Sequence, residues 1–313
     1  MTGALILARS VSSISHRGRR YLESVLEHAS APQASVRREV EREIKRVSAE
    51  IRQLPARAQA EAGASFERMQ ARMRAEVAAL PDELPPAGAV WGAVDRMRRT
   101  WLAELRRFAA DVVRRHESLE RDARALGARL GTLPARAVDI TIAAPQPVPP
   151  ADARGLYGTL QEQYGRDGAD RIANLLDSVR QGHMGADSAK LAIAHIIDMP
   201  KHRAELIMRQ EIGRAAQAEN QEQMERLGER VQGIAKEWSS ALLRSTRIGH
   251  REAHGQIVAA DEPYLVRPDL ESPYERLMYP KDPSGSIGNT ANCTCHSLPR
   301  VDAVSLRPSQ ALS

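Results

Sequence analysis

The sequence predicts a mainly α protein in which a long-helix bundle or coiled-coil-like region is followed by a second helical region and a small α+β module. Three observations predict it. Apolar residues recur at helical spacing through most of the chain before Trp238. The composition is rich in Ala, Arg and Glu, with 42% hydrophobic residues but only 4% aromatics, which favours helices over sheets. After Trp238 the helical spacing stops, and both cysteines of the chain and two closely spaced histidines crowd into one short segment.

At 313 residues there is room for more than one domain. We expect a helical region over residues 1–137, a linker over 138–152, a second domain over 153–303 and a polar tail over 304–313. Residues 1–32 are mixed, with a short helix expected at Tyr21–His28 and ended by Ser30–Pro32. From Ser35 the pattern is regular. Val40, Ile44, Val47, Ile51 and Leu54 step by four and three, an a/d seam of the coiled-coil kind with charges between. Pro55 is expected to interrupt it. Phe66, Met69, Met73, Val77 and Leu80 continue the spacing, and PDELPP makes a turn. A long third stripe runs from Val90 through Trp101, Leu105, Phe108 and Val112 to Leu133, and ends at Pro134. Each stripe is apolar on one face only, so each helix must pack against another. Two or three long antiparallel helices satisfy this.

VDITIAAPQPVPPAD, residues 138–152, loses the period and gathers prolines, as an extended linker does. Helices are then expected at Tyr157–Tyr164, Asp170–Gln181 and Ser188–Ile197, the last with Asp187 as its N-cap. Pro200 suits the first turn of a further long helix. Trp238–Leu243, Gln256–Val258 and Cys295–Leu298 read as short strands, and Thr246–His254 as a short helix closed by Gly255. Asp261–Asn292, with five prolines, reads as loop.

Charge is uneven. The chain carries +5 overall with a pI of 9.4. Residues 1–150 hold 25 Lys/Arg against 18 Asp/Glu, a net +7, and the remainder is −2. A basic half suits double-stranded DNA or an acidic protein surface, but the charges alternate in sign as on a solvated helix face. The opening MTGALILARS is too short to span a membrane, and its positive charges follow its apolar run, so no secretory signal is expected. Two cysteines one residue apart make no disulfide framework. Reduced thiols and synthesis in the cytoplasm follow.

His250 and His254 share a helix face at i and i+4. With Cys293 and Cys295 they make a two-imidazole, two-thiolate set of the kind that holds zinc, and His296 is adjacent. The alternative is that the cysteines are small buried hydrophobes and the histidines make ordinary hydrogen bonds. Catalysis is less well served. H-R-E-A-H is not H-E-x-x-H, a Cys–His nucleophile pair lacks an evident third orienting group, and no Gly-rich phosphate loop is present. A metal-dependent nuclease is the enzymatic alternative, and a non-enzyme is the expectation. Tyr264, Tyr274, Leu277, Met278 and Tyr279 lie on the proline-fixed loops. They are the residue types favoured at interface cores, with packing on the module's own core as the alternative.

Residues 201–301 resemble the Mu F-like family of phage head morphogenesis, or minor capsid, proteins. R-A-E-L-I-M-R-Q-E-I-G-R-A (Arg203–Ala215) is similar to the family's helix around R-x-E, and K-E-W (Lys236–Trp238) to its tryptophan strand. S-T-R-I-G-H (Ser245–His250) is similar to its T-R-x-x-H turn. G-Q-I-V with D-E-P-Y (Gly255–Tyr264) and M-Y-P-K-D-P-S-G (Met278–Gly285) resemble the following loops, and N-C-T-C (Asn292–Cys295) the closing N-C-R-C. Leu243 and Arg244 replace acidic residues of that pattern, His254 an Asp, and Thr294 the Arg. The resemblance implies a non-enzymatic minor head protein of a tailed phage, carried in the virion inside the head near the portal. It would be present in the host cytoplasm during assembly. Its implied partners are the portal and head-shell or scaffold proteins, and it would assist head morphogenesis, DNA packaging or ejection. A DNA-binding internal protein ejected with the genome is the alternative. No toxin domain of the kind some relatives carry is expected here.

Overall fold

A computed structural model describes residues 34–79, 87–137, 153–181, 183–300 and 307–308. The expected helix at Tyr21–His28, the PDELPP turn, the linker 138–152 and most of the tail lie outside the described residues. The protein is mainly α with an α+β C-terminal part. Four long helices come first: α1 Ala34–Ala78, α2 Ala87–Arg136, α3 Ala153–Arg180 and α4 Ala186–Gly228.

Local signals placed breaks that the fold overrides. Pro55 does not end a helix but lies inside α1. Tyr157–Tyr164 and Asp170–Gln181 fuse into α3, and Pro200 lies in the interior of α4. An interior proline costs about 3 kcal/mol. Around Pro55, however, Ile51, Leu54, Ala58 and Ala62 are all buried. Burying a single Ile or Leu stabilises by roughly 1.5–3 kcal/mol, so packing on both sides outweighs the break. Asp187 sits in the first turn of α4 and not at its cap.

The described residues form two compact units. One draws on Ala56–Leu119 and Pro150–Arg209. In it α1 and α2 run antiparallel: Glu61 pairs with Arg115, Arg68 with Asp111 and Arg72 with Glu104. Phe66 meets Phe108 edge-on at 5.9 Å, so the apolar seam and the ion pairs flanking it keep one register. α3 joins this unit through Trp101, whose Nε1 donates to Tyr164 O at 3.1 Å.

The other unit draws on Met1–Pro55, Glu120–Pro149 and Gln210–Ser313. In it Arg129 pairs with Glu43 and Arg136 with Glu39. Here α2 approaches α4 very closely. A Cβ on Gly127 would lie 2.2 Å from Ala216 O, and one on Gly131 2.6 Å from Asn220 O. The two glycines, four residues apart on one helix face, give α4 its seat.

The α+β part follows α4. Its elements are β1 Val231–Gln232, β2 Ala235–Ser239, α5 Ile248–Glu252, β3 Ile257–Ala259, β4 Tyr264–Val266, β5 Glu275–Leu277, α6 Ile287–Thr290, β6 His296–Arg300 and β7 Arg307–Pro308. The stretch expected as loop over Asp261–Asn292 therefore carries β4, β5 and α6. β2 is the centre of an antiparallel sheet in the order β3-β2-β6, with Glu237 opposite Ile257 and Trp238 opposite Ser297. β4 pairs with β5, and β1 with β7.

The outer edge of β6 is covered by side chains of α4. Gln217 Oε1 accepts from Ser297 N at 2.8 Å, and Asn220 Nδ2 donates to Ser297 O at 3.1 Å. Gln221 Nε2 reaches Ala260 O at 2.7 Å. Amide side chains of α4 thus satisfy backbone groups of Ser297 on β6 and of Ala260 just after β3. No helix among the described residues is long and apolar enough to cross a membrane.

Candidate metal centre

The core of the α+β part is Trp238, Tyr264, Val266, Leu277, Ala253 and the two cysteines. Trp238 on β2 is fully buried. Its ring meets His250 edge-on at 5.6 Å and Tyr264 at 5.2 Å. His250 comes from α5, which lies against the backbone after β4. A Cβ on Gly249 would fall 1.9 Å from Arg267 O, so glycine is what lets this helix sit so deep. Gly255, at φ +80°, then turns the chain back into β3. Cys293 and Cys295 arrive from the other side, between α6 and β6, after Asn292 at φ 54°. Asn is among the few residues that adopt this left-handed conformation readily.

His250, Cys293 and Cys295 converge with their ligand atoms all within 4.8 Å of one another, and all three are buried. His250 Nδ1 lies 3.6 Å from Cys293 Sγ and 3.5 Å from Cys295 Sγ. A tetrahedral zinc with bonds of about 2.0–2.1 Å to nitrogen and 2.3 Å to sulfur would set these N···S edges at about 3.6 Å. The residues therefore fit a metal in both donor type and spacing. Cys295 N donates to Cys293 Sγ at 3.4 Å.

The electrostatics point the same way. The hydrogen bond from Cys293 holds the Cys295 thiol well below its usual range, burial opposes this, and contacts from His250 and Ser240 assist. The same hydrogen bond, with burial and repulsion, pushes Cys293 up. A divalent cation would let both ionise.

The fourth predicted ligand is not in the cluster. His254 is exposed, and its Nδ1 accepts from the backbone N of Ser240 at 3.1 Å. His296 also turns away, its Nδ1 3.2 Å from Gln217 Nε2. Burial, aided by Arg52 and Lys281, lowers its pKa to about 3 and keeps it neutral.

Two residues of this neighbourhood were not legible in the sequence. Asn289 in α6 places Oδ1 3.0 Å from His250 Nε2, while its Nδ2 donates to Val266 O at 3.4 Å. The amide oxygen must then accept from Nε2–H, which leaves the Nδ1 lone pair facing the sulfurs. Ser240, directly after β2, has Oγ 3.3 Å from Cys295 Sγ. Neither position belongs to a spacing pattern, because each is brought in by the fold.

Asn289 also supplies the third orienting group that a Cys–His nucleophile would need, which the sequence reading did not find. All three side chains are nearly sealed from solvent, His250 being 1% exposed and the cysteines 2–3%.

The predicted interaction residues divide. Tyr264 is fully buried, with its hydroxyl 2.8 Å from Ser297 Oγ, and Leu277 is also core. Met278 and Tyr279 are half-buried. Met278 O accepts from the buried Lys236 Nζ at 2.9 Å. Tyr274 is exposed, its ring under Arg267 at 4.5 Å and its hydroxyl donating to Glu252 at 3.0 Å. Leu265 and Leu270, also exposed, were not singled out by the sequence.

A model of the family described as Phage Mu protein F like protein matches residues 172–297. The match begins earlier than residue 201, so it takes in part of α3 and all of α4, and it ends just after the second cysteine. Comparison with curated proteins and with solved structures found no match. The His250–Cys293–Cys295 cluster, the tryptophan strand and the helix that reaches β6 all fall inside the matched segment, so it is over residues 172–297 that this chain is similar to the Mu F-like family.

Proposed function

We propose that this chain is a minor structural protein of a tailed-phage head. In this reading it docks near the portal in the procapsid and assists head morphogenesis. The observation that carries it is the Mu F-like match over residues 172–297. The burial of the chemistry-bearing residues supports a non-catalytic role, because a site sealed at 1–3% exposure serves the fold better than a substrate. Arg68, Arg72, Arg115, Arg129 and Arg136 of the helical half each face a carboxylate. That internal pairing supports charges spent within the fold over a DNA-binding surface.

Zinc is the ion we assign to His250, Cys293 and Cys295, since two thiolates and one imidazole in a tetrahedral arrangement select it. The docking face is the exposed apolar group Leu265, Leu270 and Tyr274.

The test is co-expression of the full chain with the portal protein of the same phage, followed by isolation of procapsids. The chain should be found in the heads in few copies and should be retained by portal alone. Tyr274→Ala with Leu270→Ser should weaken that retention more than Arg68→Ala with Arg72→Ala. A chain absent from heads, or one retained equally well by both double variants, would remove the support for this reading.

A further inference from the structure

Three protein donors leave one vertex of a tetrahedral zinc shell unfilled. Among the described residues no fourth His, Cys, Asp or Glu joins the cluster. We propose that Ser240 Oγ fills the vertex, giving a closed shell of His250 Nδ1, Cys293 Sγ, Cys295 Sγ and the Ser240 hydroxyl. This rests on the zinc reading above and adds to it the fourth ligand and two positioning residues, His254 and Asn289.

Distance is the first argument. Ser240 Oγ lies 3.3 Å from Cys295 Sγ. Bonds of about 2.0–2.2 Å to oxygen and 2.3 Å to sulfur set a tetrahedral O···S edge at about 3.5 Å. The hydroxyl is thus spaced from this sulfur much as the His250 nitrogen is. It is also sealed in, since Ser240 is 6% exposed and Cys295 2%.

The second argument is support. A short side chain holds a ligand position only if its backbone is fixed. Ser240 follows Ser239, which pairs with His296 at the end of β2. Its own N–H is tied to His254 Nδ1 at 3.1 Å. The histidine that spacing nominated as a ligand therefore acts one step back, by holding the residue that is one. Asn289 plays the matching part for His250.

Charge is the third. A divalent cation with two thiolates is neutral, and a neutral imidazole and a neutral hydroxyl keep it so. A third thiolate or a carboxylate would leave a net charge in the core of the module, where an unpaired charge is costly. A serine at the fourth vertex suits a buried site.

The experiment uses the purified full chain loaded with zinc and then with cobalt(II). Metal content and the visible spectrum of the cobalt form are the readouts. Wild type should hold one metal per chain, with the intense ligand-field bands of a four-coordinate site and thiolate-to-cobalt charge transfer. Ser240→Ala should lower metal affinity roughly ten- to a hundredfold and alter the ligand-field bands while the two-thiolate charge transfer remains. Ser240→Cys should tighten binding and add charge-transfer intensity from a third sulfur. His254→Ala should lower affinity less than Ser240→Ala does. If Ser240→Ala binds cobalt with wild-type affinity and spectrum, or Ser240→Cys adds no sulfur band, the vertex belongs to another group and only the zinc reading stands. If wild type holds no metal and behaves like Cys293→Ser, the zinc reading itself fails and this inference falls with it.

Discussion

His250 Nε2 and Asn289 Oδ1 lie 3.0 Å apart with both residues 1% exposed. This one bond selects the tautomer of the imidazole and turns its other nitrogen to the two sulfurs. Asn289→Ala leaves the Nε2–H without a partner, at a cost of about 1–3 kcal/mol for a buried unsatisfied group. We expect a lower thermal midpoint and faster loss of metal to a chelator than in wild type. Unchanged melting and unchanged metal retention would show that Asn289 does not orient the histidine.

Gly127 and Gly131 set the distance between α2 and α4. An added Cβ at either meets backbone carbonyl oxygen at 2.2 and 2.6 Å, which cannot swing away as a side chain would. Gly127→Ala should cost about 1–3 kcal/mol by overpacking, measured by urea unfolding. Gly158→Ala, with nothing within 4 Å of its Cβ, should gain up to about 1 kcal/mol from helix propensity. Equal effects at the two positions would defeat the close-packing account.

Lys236 is fully buried. Its Nζ donates to Gln221 Oε1 and Met278 O and lies 5.1 Å over the Tyr264 ring. Burial lowers its pKa from 10.5 to about 7, against the opposing pull of Glu225, Asp261, Asp282 and Glu262. The folded state thus gives up a proton that the unfolded chain keeps until pH 10.5. This destabilising contribution is complete below pH 7 and lifts as pH rises from 7 towards 10.5, by at most about 1.4 kcal/mol per unit. The stability of wild type relative to Lys236→Met should accordingly rise across that window. A difference that stays flat from pH 7 to 10 would show that Lys236 remains charged in the fold.

α1 passes through Pro55 without a break. Pro55→Ala restores an amide donor in the helix interior and should stabilise the protein, by up to about 3 kcal/mol. Ile44→Asp, at a seam position only 6% exposed, should cost several kcal/mol, on the order of the price of an unpaired buried charge. Circular dichroism melting reads both. A destabilised Pro55→Ala would mean that the packing of this turn depends on the proline ring.

The seam residues Val40, Ile44, Val47, Ile51 and Leu54 are all buried, as their spacing alone requires. Spacing on a helix is a local property, so it is written in the sequence. The same holds for Gly255, whose left-handed φ closes the turn after α5, and for the three donors His250, Cys293 and Cys295, which are legible because their chemistry is scarce. Helix boundaries at Pro55 and Pro200 were misread because a local penalty was weighed without the tertiary packing that exceeds it.

Gln217–Gln223 is polar almost throughout, and its composition says nothing of burial. Yet Gln217 and Asn220 are buried, because Ser297 of β6, more than seventy residues later, bonds its backbone to their side-chain amides, and Gln221 is buried on Ala260 O and Lys236. His254 shows the same limit from the other direction. Its i, i+4 spacing puts it on the face of His250, but α5 ends at Glu252, so the spacing no longer holds at His254. The sequence by itself determined which residue types could bind a metal and which helix faces had to be covered. Tertiary structure alone decided which of those residues meet, because the distances that matter are set by segments far apart in the chain.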